Sequence, residues 1–479
     1  MNNIVKLIIK ENRSRLNNTA IIDGAYSISY SQLFTSVDLV ALELKRKGVI
    51  RFKRIALLCE DSVDYIVLSL AVLKLQAVIV PVPIGASSNE VNCLLNDIKV
   101  DLIIFEKDSY NSKKTVLSIE NNAIKKSIFI TECDSYKGLS KDFAKLNPAF
   151  IRFTSGTTGK NKGVILSHQT IVARTDAANN GLKITSKDRV IWVLSMSFHF
   201  VVTILLFLRK GATIIISSRQ FPYELLDNLK KLKPSLIYAS PIHYHMLCNL
   251  DISKESLATL RLAVSTAVKL SPDIADKFYK KFGFEISEAY GVIELGLPFI
   301  NLSKNQLKRG SVGKINSGYQ IKIKDPDNHG VGLIYIKGKG IFDAYFSPWR
   351  KAGDILVNGW FNTGDLGYLG KQGFLFILGR RKSVINFCGM KIFPFEVESV
   401  INQYPQVKES LVYGKNHLQY GQLPLAKIVL RRSRKDSFDL EKLRKFCYAH
   451  LSSYKVPKEF VFINQLTRTP SGKIKLALS

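Results

Sequence analysis

Apolar residues in the N-terminal part of the chain fall into short runs separated by longer amphipathic stretches. Residues 55–58, 79–82 and 102–105 are apolar runs of strand length. Residues 30–46 and 62–74 repeat apolar positions at helical spacing. Such alternation predicts βαβ units and a mostly parallel sheet, whose strands are buried on both faces. The pattern recurs further on, with strands predicted at 189–194, 213–217 and 236–239 and helices at 222–231 and 272–282. The last helix opens after Ser271 as N-cap, with Pro272 in the first helical position. Residues 201–208 are strongly apolar but stop at Arg209 and Lys210. They read as a buried helix or strand, because a membrane span needs roughly 18 apolar residues or more.

From about Gly310 the pattern changes to short alternating segments rich in glycine, which predict antiparallel hairpins in a small sheet or barrel. Beyond Gly379 strands (411–414, 425–430) mix with helices (394–403, 439–451), as in a small α+β domain. The expected class is α/β: a large N-terminal domain of mixed and parallel subdomains with a small barrel-like subdomain, residues 1–380, then a small mobile domain, residues 381–479. The N-terminal MNNIVKLIIKENRSR predicts an amphipathic helix. It lacks the long apolar core and cleavage site of a signal peptide, so a cytoplasmic location is expected.

Composition narrows this little. The chain has 479 residues, 46% hydrophobic and 23% charged, as in a multidomain globular protein. Its six cysteines are scattered without metal-ligand spacing, and His243 and His245 have no acidic or cysteine partner nearby. A net charge of +30 favours an anionic partner. The lysines are spread out, however, and no nucleic-acid module is present, so an acidic protein is the favoured macromolecular partner and nucleic acid is not expected.

The run FTSGTTGKNKGVILSH, residues 153–168, carries the first chemistry. Hydroxyls, glycines and lysines within one short loop present N–H, O–H and ammonium donors to a single polyphosphate. The Walker spacing is absent.

Further islands follow in order: EAYGVIELG (288–296), GWFNTGDLGYL (359–369), GRRKSVINFCGMKIFPFEVE (379–398) and RTPSGKIKLA (468–477). Together with the glycine-rich loop they resemble the adenylate-forming superfamily over nearly the whole chain. That group holds acyl- and aryl-CoA ligases, stand-alone adenylation enzymes and firefly-type luciferases. The resemblance implies ATP and Mg²⁺, attack of a carboxylate on the α-phosphate, and transfer of the acyl group to a phosphopantetheine thiol. Thr154, Ser155, Gly156, Thr157, Thr158, Gly159 and Lys162 would then cradle the β,γ-phosphates. Tyr290 and Gly291 would lie against adenine, and Glu294 would hold Mg²⁺. Asp365 would accept from the ribose hydroxyls, since a carboxylate suits a diol, with Arg380 reaching ribose or phosphate. Lys382 would be the hinge of the C-terminal domain. Lys473 would bridge carboxylate and α-phosphate, where two anions must meet. The chain departs from the pattern at Ile293, where relatives have Thr. It departs again at residues 265–270, which replace a glycine-containing adenine loop.

By the same resemblance Phe198, His199, Ala239, Ser240, Ser265, Thr266 and Ala267 line the acid pocket. No Asp stands there to pair an α-ammonium, so the expected acid is aliphatic or aryl and not an α-amino acid. The chain contains no carrier domain, so the thiol arrives on coenzyme A or on an acyl or peptidyl carrier protein. The basic charge favours the carrier. A degenerate nucleotide-binding protein without turnover is the alternative that Ile293 raises. Luciferase-type oxygen chemistry has only fold analogy behind it.

Overall fold

The computed structural model describes residues 3–112, 114–120, 122–133, 141–154, 162–217, 222–303, 309–431, 438–468 and 474. Two nine-stranded sheets dominate it. In the first, Val78–Pro81, Arg54–Leu58 and Leu102–Glu106 run parallel, with Pro148–Thr154 parallel beside Val78–Pro81 and Lys162–Ser167 antiparallel beyond it. In the second, Thr19–Asp23, Thr213–Ile216, Arg189–Trp192, Leu236–Ala239, Leu262–Ser265 and Ile286–Val292 run parallel in that spatial order. The run over 30–46 is the helix Tyr30–Arg46, opened by a capping box at Ser29 and Gln32.

Helices Ile4–Glu11, Tyr30–Arg46, Val63–Lys74 and His168–Leu182 supply one continuous apolar core shared with both sheets. That sandwich explains why Val63–Lys74 is buried on nearly every side. The amphipathic N-terminus is part of this core. Ile4, Val5 and Ile8 are buried, Asn12 Nδ2 donates to Leu208 O at 2.8 Å, and Glu11 pairs with Arg209 at 2.7 Å. The charges that end the apolar run at Arg209 and Lys210 are thus held by this helix.

The run over 201–208 is neither a plain helix nor a strand. Helix Met196–His199 passes into a π-turn, Phe200–Ile204, before helix Leu205–Lys210. Thr203 Oγ1 donates to the His199 carbonyl within it. Such bulges gather at functional sites.

The glycine-rich stretch does not close into a barrel among the described residues. It forms an open antiparallel sheet of Tyr319–Lys324, Gly332–Gly338, Phe361–Leu369 and Leu375–Arg380. Its outer strands do not pair with one another, because four short twisted strands are too few for closure. A five-stranded sheet follows from Ile385, built on the long hairpin Val407–His417 and Gly421–Leu430 and backed by helices Pro394–Ile401 and Leu440–His450. A 3₁₀ turn, Arg381–Ser383, joins the two sheets and carries Lys382. No described helix is long and apolar enough to cross a membrane.

Candidate active site

In open α/β sheets ligands bind beyond the carboxyl ends of the strands. Here those ends carry the motifs. Ala239, Ser265 and Glu288 lie in register across three parallel strands, followed in the chain by Ser240, Thr266 and Tyr290. Ala267 takes φ +75°, a left-handed conformation that favours glycine. This is the loop where relatives are expected to carry glycine, and the alanine holds the turn at a steric cost. Ser265 is buried and its hydroxyl has no hydrogen-bond partner among the described residues. Trp192 stacks on Tyr238 at 5.8 Å, and the His199 ring meets Trp192 edge-on at 6.4 Å. Phe198 and His199 therefore sit at the same end of the sheet as Ala239 and Ser265. Asp61, unforeseen from sequence, accepts from the Met196 N–H at 2.9 Å and anchors this segment. Burial pushes its carboxyl up to about 7.

The motif EAYGVIELG is a strand, a tight turn and a return strand, Gly296–Ile300. A Cβ on Gly291 would stand 2.1 Å from the Gly296 carbonyl oxygen, so only glycine fits. Tyr290 donates to Asp365 Oδ2, a contact spanning 75 residues of chain. Arg380 Nε lies 2.8 Å from Asp365 Oδ1, and Arg380 also donates to Thr363 O at 2.8 Å. Burial, with Asp365 beside it, holds the Tyr290 hydroxyl protonated far above its ordinary range. A buried carboxylate flanked by a phenol and a guanidinium is thus assembled from three motifs.

Glu294 occupies the turn. Its Oε1 accepts from Tyr345 at 3.0 Å. Buried Arg174 fixes the turn by donating to Ile293 O at 2.8 Å, Glu294 O at 2.7 Å and Gly340 O at 2.6 Å. Lys162 lies over the Tyr345 ring at 4.9 Å. One carboxylate with Lys162 nearby, across Tyr345, fits Mg²⁺, which keeps several waters and is often held by one or two carboxylates with substrate phosphates. No group of three or more metal-type side chains occurs among the described residues.

Ser155, Gly156, Thr157, Thr158, Gly159 and Lys473 lie outside the described residues, as does the side chain of Thr154. The strand Pro148–Thr154 leads into the first group, and Arg468 and Ile474 pair in a bridge around the second. Sequence reasoning missed Arg174, Tyr345 and Lys269. Lys269 Nζ donates to Ile377 O at 2.9 Å and lies over the Phe395 ring at 4.4 Å, so it ties the loop of residues 265–270 to the segments on either side of Lys382. It also missed Glu288, whose carboxyl burial pushes to about 7 although Gly310 N donates to it at 3.1 Å. None of these carries a local signal except Glu288, which opens its motif.

The family model for AMP-binding enzymes matches residues 10–346, and that for the AMP-binding enzyme C-terminal domain matches 396–473. A putative acyl–CoA ligase of Bacillus subtilis, YdaB, is 26% identical over 95% of this chain and 94% of its own. A 2-succinylbenzoate–CoA ligase of Listeria innocua is 26% identical over 95% of each. A solved o-succinylbenzoate coenzyme A synthetase of Bacillus subtilis, in complex with ATP and magnesium ion, superposes with a TM-score of 0.82 at 23% identity, covering 98% of both chains. That likeness concerns the fold.

Proposed function

The chain belongs to the family of AMP-binding enzymes and is an AMP-forming acid–thiol ligase, and from that premise we propose that it activates a carboxylic acid other than an α-amino acid as its acyl-adenylate and passes the acyl group to coenzyme A. The observation that carries this reading is the convergence of Tyr290, Asp365 and Arg380 beside the Glu294 turn. Asp365 exchanges its Tyr290 and Arg380 contacts for the ribose hydroxyls. Tyr290 lies against the adenine. Glu294 and Lys162 orient the phosphates, where Mg²⁺, when bound, supplies charge neutralisation. Lys473 draws the acid carboxylate to the α-phosphate, and the turn at Lys382 lets the C-terminal domain change place between the two half-reactions. Phosphoryl transfer needs mostly positioning and charge stabilisation, which this set provides.

The pocket walls support the acid class. Phe198, His199, Ala239, Ser240, Ser265, Thr266 and Ala267 offer no carboxylate to an ammonium group. Asp61 is committed to the Met196 N–H. Relatives spanning nearly the whole chain are named CoA ligases, which supports coenzyme A as acceptor. A carrier protein is the second reading. The net charge of +30 favours it, because such carriers are acidic.

The test is release of AMP and loss of free thiol, as thioester forms, from acyl-adenylate supplied with either coenzyme A or a phosphopantetheinylated carrier. Preference for coenzyme A supports the proposal, and exclusive use of the carrier replaces it. A protein that binds ATP yet turns over neither acceptor nor acid is the degenerate binder. Ile293→Thr probes that reading: it leaves or raises the adenylation rate, and a severe loss with normal folding would show that Ile293 is an adaptation of this site.

A further inference from the structure

Arg152 stands in the strand Pro148–Thr154, two residues before the strand enters the phosphate loop. Alternation along the strand puts it on the face of Phe150, which packs on Phe200 of the π-turn at 6.0 Å. Its guanidinium donates to the carbonyl of Phe198, in the segment that carries the acid-pocket residues. In register across the sheet lie Val164 and then Tyr345, the tyrosine that holds Glu294. The side chain thus stands between the acid pocket and the phosphate-side carboxylate.

It is largely enclosed, yet it makes one hydrogen bond and pairs with no carboxylate among the described residues. A guanidinium has five donors. None of Arg152's nitrogens is among the sealed polar atoms that lack a partner, and the residue keeps partial exposure, so its unused donors are not closed off. The neighbouring cations sharpen the imbalance. Arg174 is satisfied by three carbonyls, Lys162 lies on Tyr345, and Glu294 is the carboxylate whose field both arginines feel. Burial and Arg174 together lower the Arg152 pKa to about 10, so it remains charged at neutral pH. An enclosed cation without a counter-ion is costly, and an apolar side chain of similar volume would pack here at less cost.

We propose that Arg152 is an anion-binding residue of the cleft, its free guanidinium edge taking an oxyanion brought by one of the two substrates. The chemistry is a planar fork against a carboxylate or a phosphate. The source is a carboxylate of the acid or a phosphate of the nucleotide. This inference rests on the ligase reading for what arrives in the cleft.

The experiment is direct binding to the whole protein, wild type against Arg152→Gln and Arg152→Lys, of four probes: ATP, pyrophosphate, a series of mono- and dicarboxylates, and uncharged adenosine as control. Arg152→Gln loses tenfold to a hundredfold in affinity for one class of anion, the range expected for a hydrogen bond to a charged group. Arg152→Lys keeps part of it, and adenosine is unchanged in both. Loss confined to ATP and pyrophosphate assigns the phosphate. Loss confined to carboxylates assigns the acid. Thermal stability supplies a second readout, because removing an unpaired enclosed cation leaves Tm unchanged or raises it, whereas a merely structural arginine lowers it. Anion affinities within twofold of wild type in both variants overturn the inference, as does a wild type that binds no anion. Absence of carboxylate-dependent pyrophosphate release from the wild type would overturn the ligase reading instead, and the binding series does not depend on turnover.

Discussion

Asp365→Asn is the perturbation that the geometry defines most sharply. Asp365 is 4% exposed and keeps both oxygens engaged, Oδ1 with Arg380 at 2.8 Å and Oδ2 with Tyr290. Asparagine has nearly the same volume but one acceptor, no charge and an amide donor facing a cation or a phenol. If the carboxylate receives both ribose hydroxyls, the variant loses one charge-assisted bond and neutralises the other. Hydrogen bonds to charged groups contribute about 1.5–3 kcal/mol each. The free enzyme already satisfies these oxygens, so binding exchanges partners and the net loss falls near the lower end, about 2 kcal/mol or roughly thirtyfold in ATP affinity. The fold survives: side-chain exposure of Arg380 is 50%, and pairs that reach solvent contribute about 1 kcal/mol or less. The assay is ATP affinity measured beside 2′-deoxy- and 3′-deoxy-ATP. Wild type discriminates against both analogues, and Asp365→Asn loses the discrimination against one and weakens it against the other. An affinity within threefold of wild type, or a variant that still rejects the deoxy analogues, would refute the ribose assignment.

Lys473→Ala abolishes adenylation, by more than about a hundredfold, and spares thioester formation from supplied acyl-adenylate; equal loss in both half-reactions removes its assigned role. Gly291→Ala forces a Cβ to within 2.1 Å of the Gly296 carbonyl oxygen, so it displaces the hairpin and costs adenylation activity, and wild-type rates would show the backbone free to move. Ala267→Gly relieves a left-handed alanine and raises Tm by about one or two degrees; a lower Tm contradicts the strain. Burial pushes the Glu398 carboxyl up to about 7, although Val412 N donates to it at 2.8 Å. Its stabilising contribution is therefore complete below the ordinary glutamate range and is lost as pH rises towards 7. Melting curves of wild type and Glu398→Gln should diverge in the variant's favour between pH 5 and pH 8, and a gap that does not change with pH refutes the shift.

The parallel strands and the helices between them were legible because burial on both faces writes continuous apolar runs, as at 55–58 and 102–105. The hairpin Val407–His417 and Gly421–Leu430 is longer than its apolar runs, since its polar ends add ladder bonds without apolar pattern. The π-turn at Phe200–Ile204 was invisible, because an apolar octapeptide reads alike as strand, helix or bulge. At the site, motif residues Tyr290, Asp365 and Arg380 were found and the structure brings them together. Tyr345 and Arg174 were not found, because their role arises only when distant elements pack. Arg152 left a faint mark, a lone cation inside the apolar strand FIRF, which strand periodicity alone reads as one more alternating position.

Carboxylate-dependent release of pyrophosphate from ATP and Mg²⁺, across straight-chain, branched, aryl, dicarboxylic and α-amino acids, tests the central claim most directly. The account predicts release with at least one acid that lacks an α-amino group, and none with the α-amino acids. ATP bound without release for any acid, or release confined to α-amino acids, would contradict it.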